Sequence, residues 1–405
     1  MDDISVFKYH QICQNDTELL CFYDKDYLCI CEWNHYRVDC FLHDTEIDRC
    51  KQCLFNGKCL KDDHSFVCFC LHCYEGDQCQ FNLQAFGFTI DSLVIDYSRE
   101  VKLIYLSMMF FLFLLGLFNN LCSFLTFKRT VPRKVGVGNY LFIISCLNQI
   151  SLLLLWIKLI QITYGLIDLP SCKIISYLLS VVTRLTYWLT SWVTIDRLLI
   201  ILFPTSTALK TPRLAFGISI ATTLCLFAMH IPEMISSTTI NHRSIGPSIC
   251  VTNFDTDFLS IYNRVSTLIH YLIPFFSQVI GITLLIVLAA RSRNKATDGH
   301  ISFGQVLVKQ FRLQEELYVA PIMIIFSGLP QIILTFTFAC TQMTIVRRST
   351  LLITYLLSYA PQVLGFILCV LPSTAYKKEF GETLIAKTLS RWVFKKKKKK
   401  GALTV

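Results

Sequence analysis

Leu103 to Phe127 reads LIYLSMMFFLFLLGLFNNLCSFLTF, 25 residues without a charged side chain. A hydrocarbon core about 30 Å thick is crossed by about 20 apolar residues in a helix, so this stretch can span a bilayer. Further apolar runs follow at Tyr140 to Ile162, Ile174 to Phe203, Leu214 to Ile231, Val265 to Ala290, Leu317 to Cys340 and Leu351 to Leu371. Seven such runs in series exceed what a water-soluble core can hide, because hardly any of them carries a polar face. The expected fold is an all-α membrane protein built on a bundle of seven transmembrane helices.

Composition points the same way. Of 405 residues, 53% are apolar and only 16% charged, with a mean hydropathy of +0.50, values outside the soluble globular range. Residues 1–99 hold 17 Asp+Glu against 8 Lys+Arg, and residues 100–405 hold 11 against 30, so the formal charges are −9 and +19. The positive excess sits in short segments beside the apolar runs: Lys128, Arg129, Arg133 and Lys134; Lys210 and Arg213; Arg291, Arg293 and Lys295; then Lys377, Lys378 and the run Lys395 to Lys400. Alternating spans put all of these on one side, which the positive-inside rule makes cytoplasmic. Arg347 and Arg348 fall on the other side and do not reverse the asymmetry. The expectation is a multi-pass plasma-membrane protein with an extracellular N-terminus and a cytoplasmic C-terminus, and the basic charge implies no nucleic-acid partner.

Cysteine usage divides at the same place. Twelve of the 19 cysteines lie between Cys13 and Cys79, a density that implies an oxidising compartment and a head too small to fold on its apolar core alone. The sequon Asn15-Asp16-Thr17 makes Asn15 a glycosylation candidate. Met1 to Ser5 has neither a basic n-region nor an apolar stretch to serve as a signal peptide, so either the first span translocates the head or the true start is missing.

From Cys50 the spacing is Cys50-x2-Cys53-x5-Cys59-x8-Cys68-x-Cys70-x8-Cys79, with Asn56-Gly57 in a turn, Phe66 two before Cys68 and Tyr74-Glu75-Gly76 in the last loop. This resembles an EGF-like domain. Spacing alone leaves 15 connectivities for six cysteines; the resemblance implies Cys50 to Cys59, Cys53 to Cys68 and Cys70 to Cys79. Cys73 stands where that family usually has Gly and needs a partner. Upstream, Cys29-x-Cys31-x8-Cys40 repeats the last half of the module, with Cys13 and Cys21 before it, so Cys73 either bridges the two modules or lost its partner with a missing start. Glu46 and Asp48 precede the first cysteine as in calcium-binding EGF modules, but Lys61 stands where an acidic or amide ligand is wanted, and no metal is expected. Zinc thiolate chemistry does not suit an oxidised head.

Span three carries polar residues that hydrocarbon penalises. Asp196-Arg197-Leu198 stands at its inner end, Cys172 lies 25 residues earlier at its outer start, and Cys250 lies in the long loop before span five. This resembles the third helix of rhodopsin-like (class A) G-protein-coupled receptors, where a loop disulfide, here Cys172 to Cys250, ties the top of the helix and an Asp-Arg-Tyr-type motif closes the bottom. The resemblance implies that Asp196 holds Arg197 until activation releases it to support the cavity that receives a heterotrimeric G protein. Asn120, the prolines Pro232, Pro274 and Pro330, and Leu371-Pro372-Ser373-Thr374-Ala375-Tyr376 at the end of span seven fall in the family's order, the last running into a short eighth helix. Departures are Leu371 for Asn, a Tyr376 one place late, Gly328 for Trp, and Asn148 and Gln149 where span two usually has Asp, so no sodium site is expected. Gln310 leaves Arg197 without an obvious acidic partner on span six.

Arg184 lies 12 residues below Cys172, about 18 Å along a helix, and is a ligand-pocket candidate that could pair with a carboxylate or sulfate. The alternative is a structural Arg bonded within the bundle. The six lysines at 395–400, with Trp392 and Phe394, suit anionic lipid at the inner leaflet, and Leu403-Thr404-Val405 could add a strand to a PDZ-type groove. The domain plan is a partial cysteine-rich module at 1–45, an EGF-like domain at 46–80, a linker at 81–100, a receptor domain at 101–376 and a helix with a polybasic tail at 377–405. Nucleophile motifs, clustered metal ligands and inverted repeats do not stand out, so neither an enzyme nor a transporter is expected and no cofactor is implied. The expected function is a peptide-activated receptor; the alternative is a non-signalling seven-span adhesion protein using its head.

Overall fold

The structure, a computed structural model, describes residues 21–23, 27–32, 37–42, 58–61, 66–70, 73–75, 79, 81–82, 89–95, 97–203, 205, 211–241, 248–252, 254, 257–296, 315–341 and 343–388. The chain forms two compact units, Met1–Asn82 and Leu83–Val405.

The first unit consists, in its described part, of short antiparallel strands. β1 (Cys21–Tyr23), β2 (Tyr27–Glu32) and β3 (Arg37–Leu42) form a three-stranded sheet with Cys29 opposite Cys40. β4 (Lys58–Lys61) pairs β5 (Phe66–Phe69) with Cys59 opposite Cys68, and β6 (Tyr74–Glu75) pairs β7 (Phe81–Asn82). Cys70 is bridged to Cys79, and Cys68 and Cys73 are also in disulfides. Cys73 has φ 74°, the left-handed region that costs an ordinary side chain roughly 1–2 kcal/mol; this is the physical reason a glycine suits that place. Cys50, Cys53 and Asn15 lie outside the described residues.

The second unit opens with a short helix, α1 (Ile90–Val94), and then α2 (Arg99–Phe127). After α3 (Thr130–Arg133) come α4 (Gly136–Tyr164), α5 (Leu169–Leu202), α6 (Pro212–Met229) and α7 (Ile231–Ser236). A hairpin of β8 (Ser237–Asn241) and β9 (Ser248–Thr252) precedes α8 (Asp257–Ala296) and α9 (Glu315–Thr337). α10 (Ile345–Leu357), α11 (Ala360–Val363), α12 (Gly365–Cys369) and α13 (Thr374–Gly381) complete it. Six of these segments are long and apolar enough to cross a membrane: α2, α4, α5, α6 with α7, α8 and α9. The second unit is thus a predominantly helical bundle whose six long apolar helices fit a multi-pass membrane protein.

The seventh span expected at Leu351 to Leu371 is not among these six: the segment is helical but interrupted at Ser358-Tyr359 and again at Leu364. Pro361 supplies no N–H to carry the first helix onward. α10 alone, at 13 residues, reaches about 20 Å, short of a bilayer core.

The outer faces explain the medium. On α2, Ile104, Phe110, Phe111, Leu114, Leu115 and Phe118 are exposed, an apolar surface no water-soluble monomer tolerates. Inside, Phe127, Tyr140, Leu141, Val181, Leu185, Leu189 and Phe366 form the shared core of α2, α4, α5 and α12. Hydroxyls within helices bond back one turn: Thr126 Oγ1 donates to the Cys122 carbonyl at 2.8 Å, Ser145 Oγ to that of Leu141 at 2.7 Å, and Ser219 Oγ to that of Ala215 at 2.8 Å. Backbone and side chain are then satisfied without water, as hydrocarbon demands.

Candidate functional site

α5 is the spine of the site. Its first turn holds Cys172, bridged to Cys250 on β9, so the hairpin is tied across that end of the bundle. Its last turns carry Asp196 and Arg197. Their side chains point to different neighbours. The Asp196 carboxylate lies against Gly136, where a Cβ would come within 3.0 Å of Oδ2, and Arg197 lines a cavity of about 60 Å³. That cavity lies between α4, α5, α9, α11 and α12, with Asn148, Thr194, Pro321, Gln362 and Cys369 also on its wall. A helix end that presents a guanidinium to an apolar-walled hollow offers carbonyl or carboxylate groups a charge-assisted contact.

Midway along α5, Arg184 is buried and its partners are explicit. Nη1 meets Glu233 Oε2 at 3.0 Å and His230 Nδ1 at 2.9 Å, and Nη2 donates to Thr267 Oγ1 at 3.0 Å. Ser180 Oγ donates to Glu233 Oε1 at 2.7 Å, and Trp188 Nε1 donates to His270 Nδ1 at 3.0 Å. Glu233 reaches Arg184 because Pro232 ends α6: the chain turns at His230 (φ −98°, ψ 4°) into α7, which aims the carboxylate inward. Of the two readings of Arg184, the structure thus provides the intramolecular partners, with its charge met by Glu233. Glu233, His230 and His270 were not singled out from sequence. The available signal was His230-x-x-Glu233 flanking a proline inside an apolar run, since intramembrane ionisable groups require partners.

Asn120 Nδ2 donates to Gln149 Oε1 at 3.2 Å, joining α2 to α4. Gly365 faces this amide pair: a Cβ there would meet Asn120 Oδ1 at 3.0 Å and Asn148 Nδ2 at 3.4 Å. Side-chain amides of α2 and α4 therefore converge against Gly365 of α12.

No family model matches the chain, and no curated protein does. The site is accordingly read from its own chemistry. Pro372 ends the α10–α12 series, and Tyr376 lies in the first turns of α13 rather than at the end of a span. Ser373 caps that helix by accepting from Tyr376 N, and the Tyr376 ring packs edge-on to Phe127 at 5.1 Å. Arg129 Nε bonds Glu379 Oε2 at 2.7 Å, fixing α13 to the turn after α2. Lys395 to Lys400 and Gln310 lie outside the described residues. Among the described residues no group of three or more His, Cys, Asp or Glu is placed to hold a metal.

Proposed function

We propose that the chain is a rhodopsin-like G-protein-coupled receptor of the plasma membrane, with the EGF-like head outside and the Arg197 end of the bundle in the cytosol. In this reading α10, α11 and α12 together make the seventh crossing. A peptide is the ligand class, a heterotrimeric G protein the inner partner, and the polybasic tail rests on anionic lipid. One observation carries the proposal: a single helix, α5, is disulfide-tied to a β-hairpin at one end and presents Arg197 to a cavity at the other. A ligand biasing the tied end can favour one of two bundle states, and the cavity is where a partner helix reads the choice.

The test is guanine-nucleotide exchange on a panel of heterotrimeric G proteins, by the intact chain and by Arg197→Ala at matched surface density. Exchange that falls at least tenfold in Arg197→Ala is expected. If the intact chain drives no exchange on any G protein, with or without added peptide, the receptor reading is wrong and a seven-span adhesion protein replaces it.

A further inference from the structure

α1 is too short and too buried to be a linker. Its residues Ile90, Leu93, Val94 and the following Ile95 are at most 4% exposed, and Asp91 is 3% exposed. The segment precedes the first span yet lies within the bundle unit, against α10 on one side and β9 on the other. Its shape is set locally: Thr89 Oγ1 accepts from Ser92 N at 3.3 Å and Ser92 Oγ from Thr89 N at 3.1 Å, a reciprocal cap.

What it meets is a buried cation. Lys158, near the end of α4 on the Cys250 side, is 1% exposed. Its Nζ lies 3.0 Å from Asp91 Oδ2 and donates to Ser176 Oγ on α5 at 3.2 Å. A buried ammonium without a carboxylate is strongly disfavoured, and here the carboxylate comes from a segment outside the helices that form the wall. Burial pushes the Asp91 carboxyl up, and Lys158 with the amides of Asp91 and Cys250 pulls against it. Tyr97, two residues past Ile95, fixes the exit by bonding Ser349 on α10 at 2.5 Å. Apolar side chains, one acid at a set position and a matching buried lysine make a recognition site with its occupant in place.

We propose that the cleft between α4, β9 and α10 is a binding site for an acidic, apolar peptide, and that residues 90–95 are its resident, tethered ligand. Its link to signalling rests on the receptor reading; the binding itself does not. The tether from Ile95 to the start of α2 is only a few residues long, so the effective concentration is in the millimolar range or above. A free copy of the segment therefore competes only when the resident one is removed.

The experiment uses the full chain on cells with residues 90–95 replaced by Gly and Ser, and a fluorescent peptide of residues 89–97, TIDSLVIDY. Saturable binding at least tenfold above that of the unaltered chain is expected. It should be lost when Lys158→Met is added, and also when the peptide carries Asn in place of Asp91. Where the emptied chain does not reach the surface, Asp91→Asn in the full chain serves instead, with the same tenfold gain expected. Equal binding to altered and unaltered chains, or binding indifferent to Lys158→Met, overturns the proposal. Nucleotide exchange is read on the same cells. Lys158-dependent peptide binding with no exchange supports the site and sinks the receptor reading, whereas Arg197-dependent exchange without peptide binding sinks the site alone.

Discussion

Replacing Glu233 with Leu leaves the Arg184 guanidinium, itself 7% exposed, inside the bundle without its carboxylate. Breaking a buried pair from one side costs about 3–5 kcal/mol, while replacing both charges with apolar side chains is often neutral or stabilising. Thr267 still accepts from Arg184, and a His230 ring nitrogen still lies beside it, so the lower end, about 3 kcal/mol, is expected. At about 2 °C per kcal/mol, the low end for a unit of this size, the midpoint falls by about 6 °C. Thermal unfolding in detergent, followed with a thiol-reactive dye, reads this directly because Cys122 is free and buried. Glu233→Gln, which keeps an acceptor but not the charge, should lose about half as much. The deciding arm is Arg184→Leu with Glu233→Leu, which should recover most of the loss. A double variant no more stable than Glu233→Leu alone would refute the ion-pair account and assign the effect to packing around α7.

A Cβ at Gly138 would lie 2.0 Å from the Pro132 carbonyl oxygen, so Gly138→Ala must displace backbone and should lower the midpoint by several degrees. Gly217, with nothing within 4 Å of such an atom, is the control: Gly217→Ala should be neutral or gain up to about 1 kcal/mol of helix propensity. Removing the Cys172–Cys250 bridge, which spans 78 residues, should cost about 4–5 kcal/mol by the chain-entropy account, read as the fall in thermal midpoint of the double Ser variant. Arg129→Gln breaks a pair whose arginine side chain is 38% exposed and should change stability by under about 1 kcal/mol, which the same melting assay checks.

The apolar runs were legible because hydrocarbon imposes a length and a composition on each helix, and the six long helices cover the runs expected for them except for one residue after α5 and three after α9. The break in the last segment was not read from sequence. Pro361 and Gly365 stood inside an apolar run, and apolar composition alone does not say whether a proline is absorbed, as Pro274 is within α8, or ends a helix. Arg184 was legible as a buried charge, but its partners were not, because Glu233 becomes inward-facing only once Pro232 has turned the chain. Lys158 is illegible for the opposite reason: it is the only charged residue in its run, and its counter-charge Asp91 is 67 residues away in a segment that reads as a linker.

The buried charges share a placement that bears on how the bundle could carry a signal. Cys172 and Ser176 near one end of α5, Arg184 in the middle and Arg197 at the other end lie on one uninterrupted helix; the 25 residues from Cys172 to Arg197 cover about 38 Å. The contacts that would have to rearrange lie beside it, where the chain is broken: α7 after Pro232 holds Glu233 against Arg184, and the α10–α11 break brings Ser358 and Gln362 to the cavity that Arg197 lines. A rigid rod flanked by interrupted helices can change its neighbours without bending itself, because the breaks absorb the rotation and only polar contacts are exchanged. On the proposed reading, the segment held by Lys158 acts at the wall formed by α4 and α10, so its pull reaches the inner cavity through the α10–α12 series as well as through Ser176 on α5.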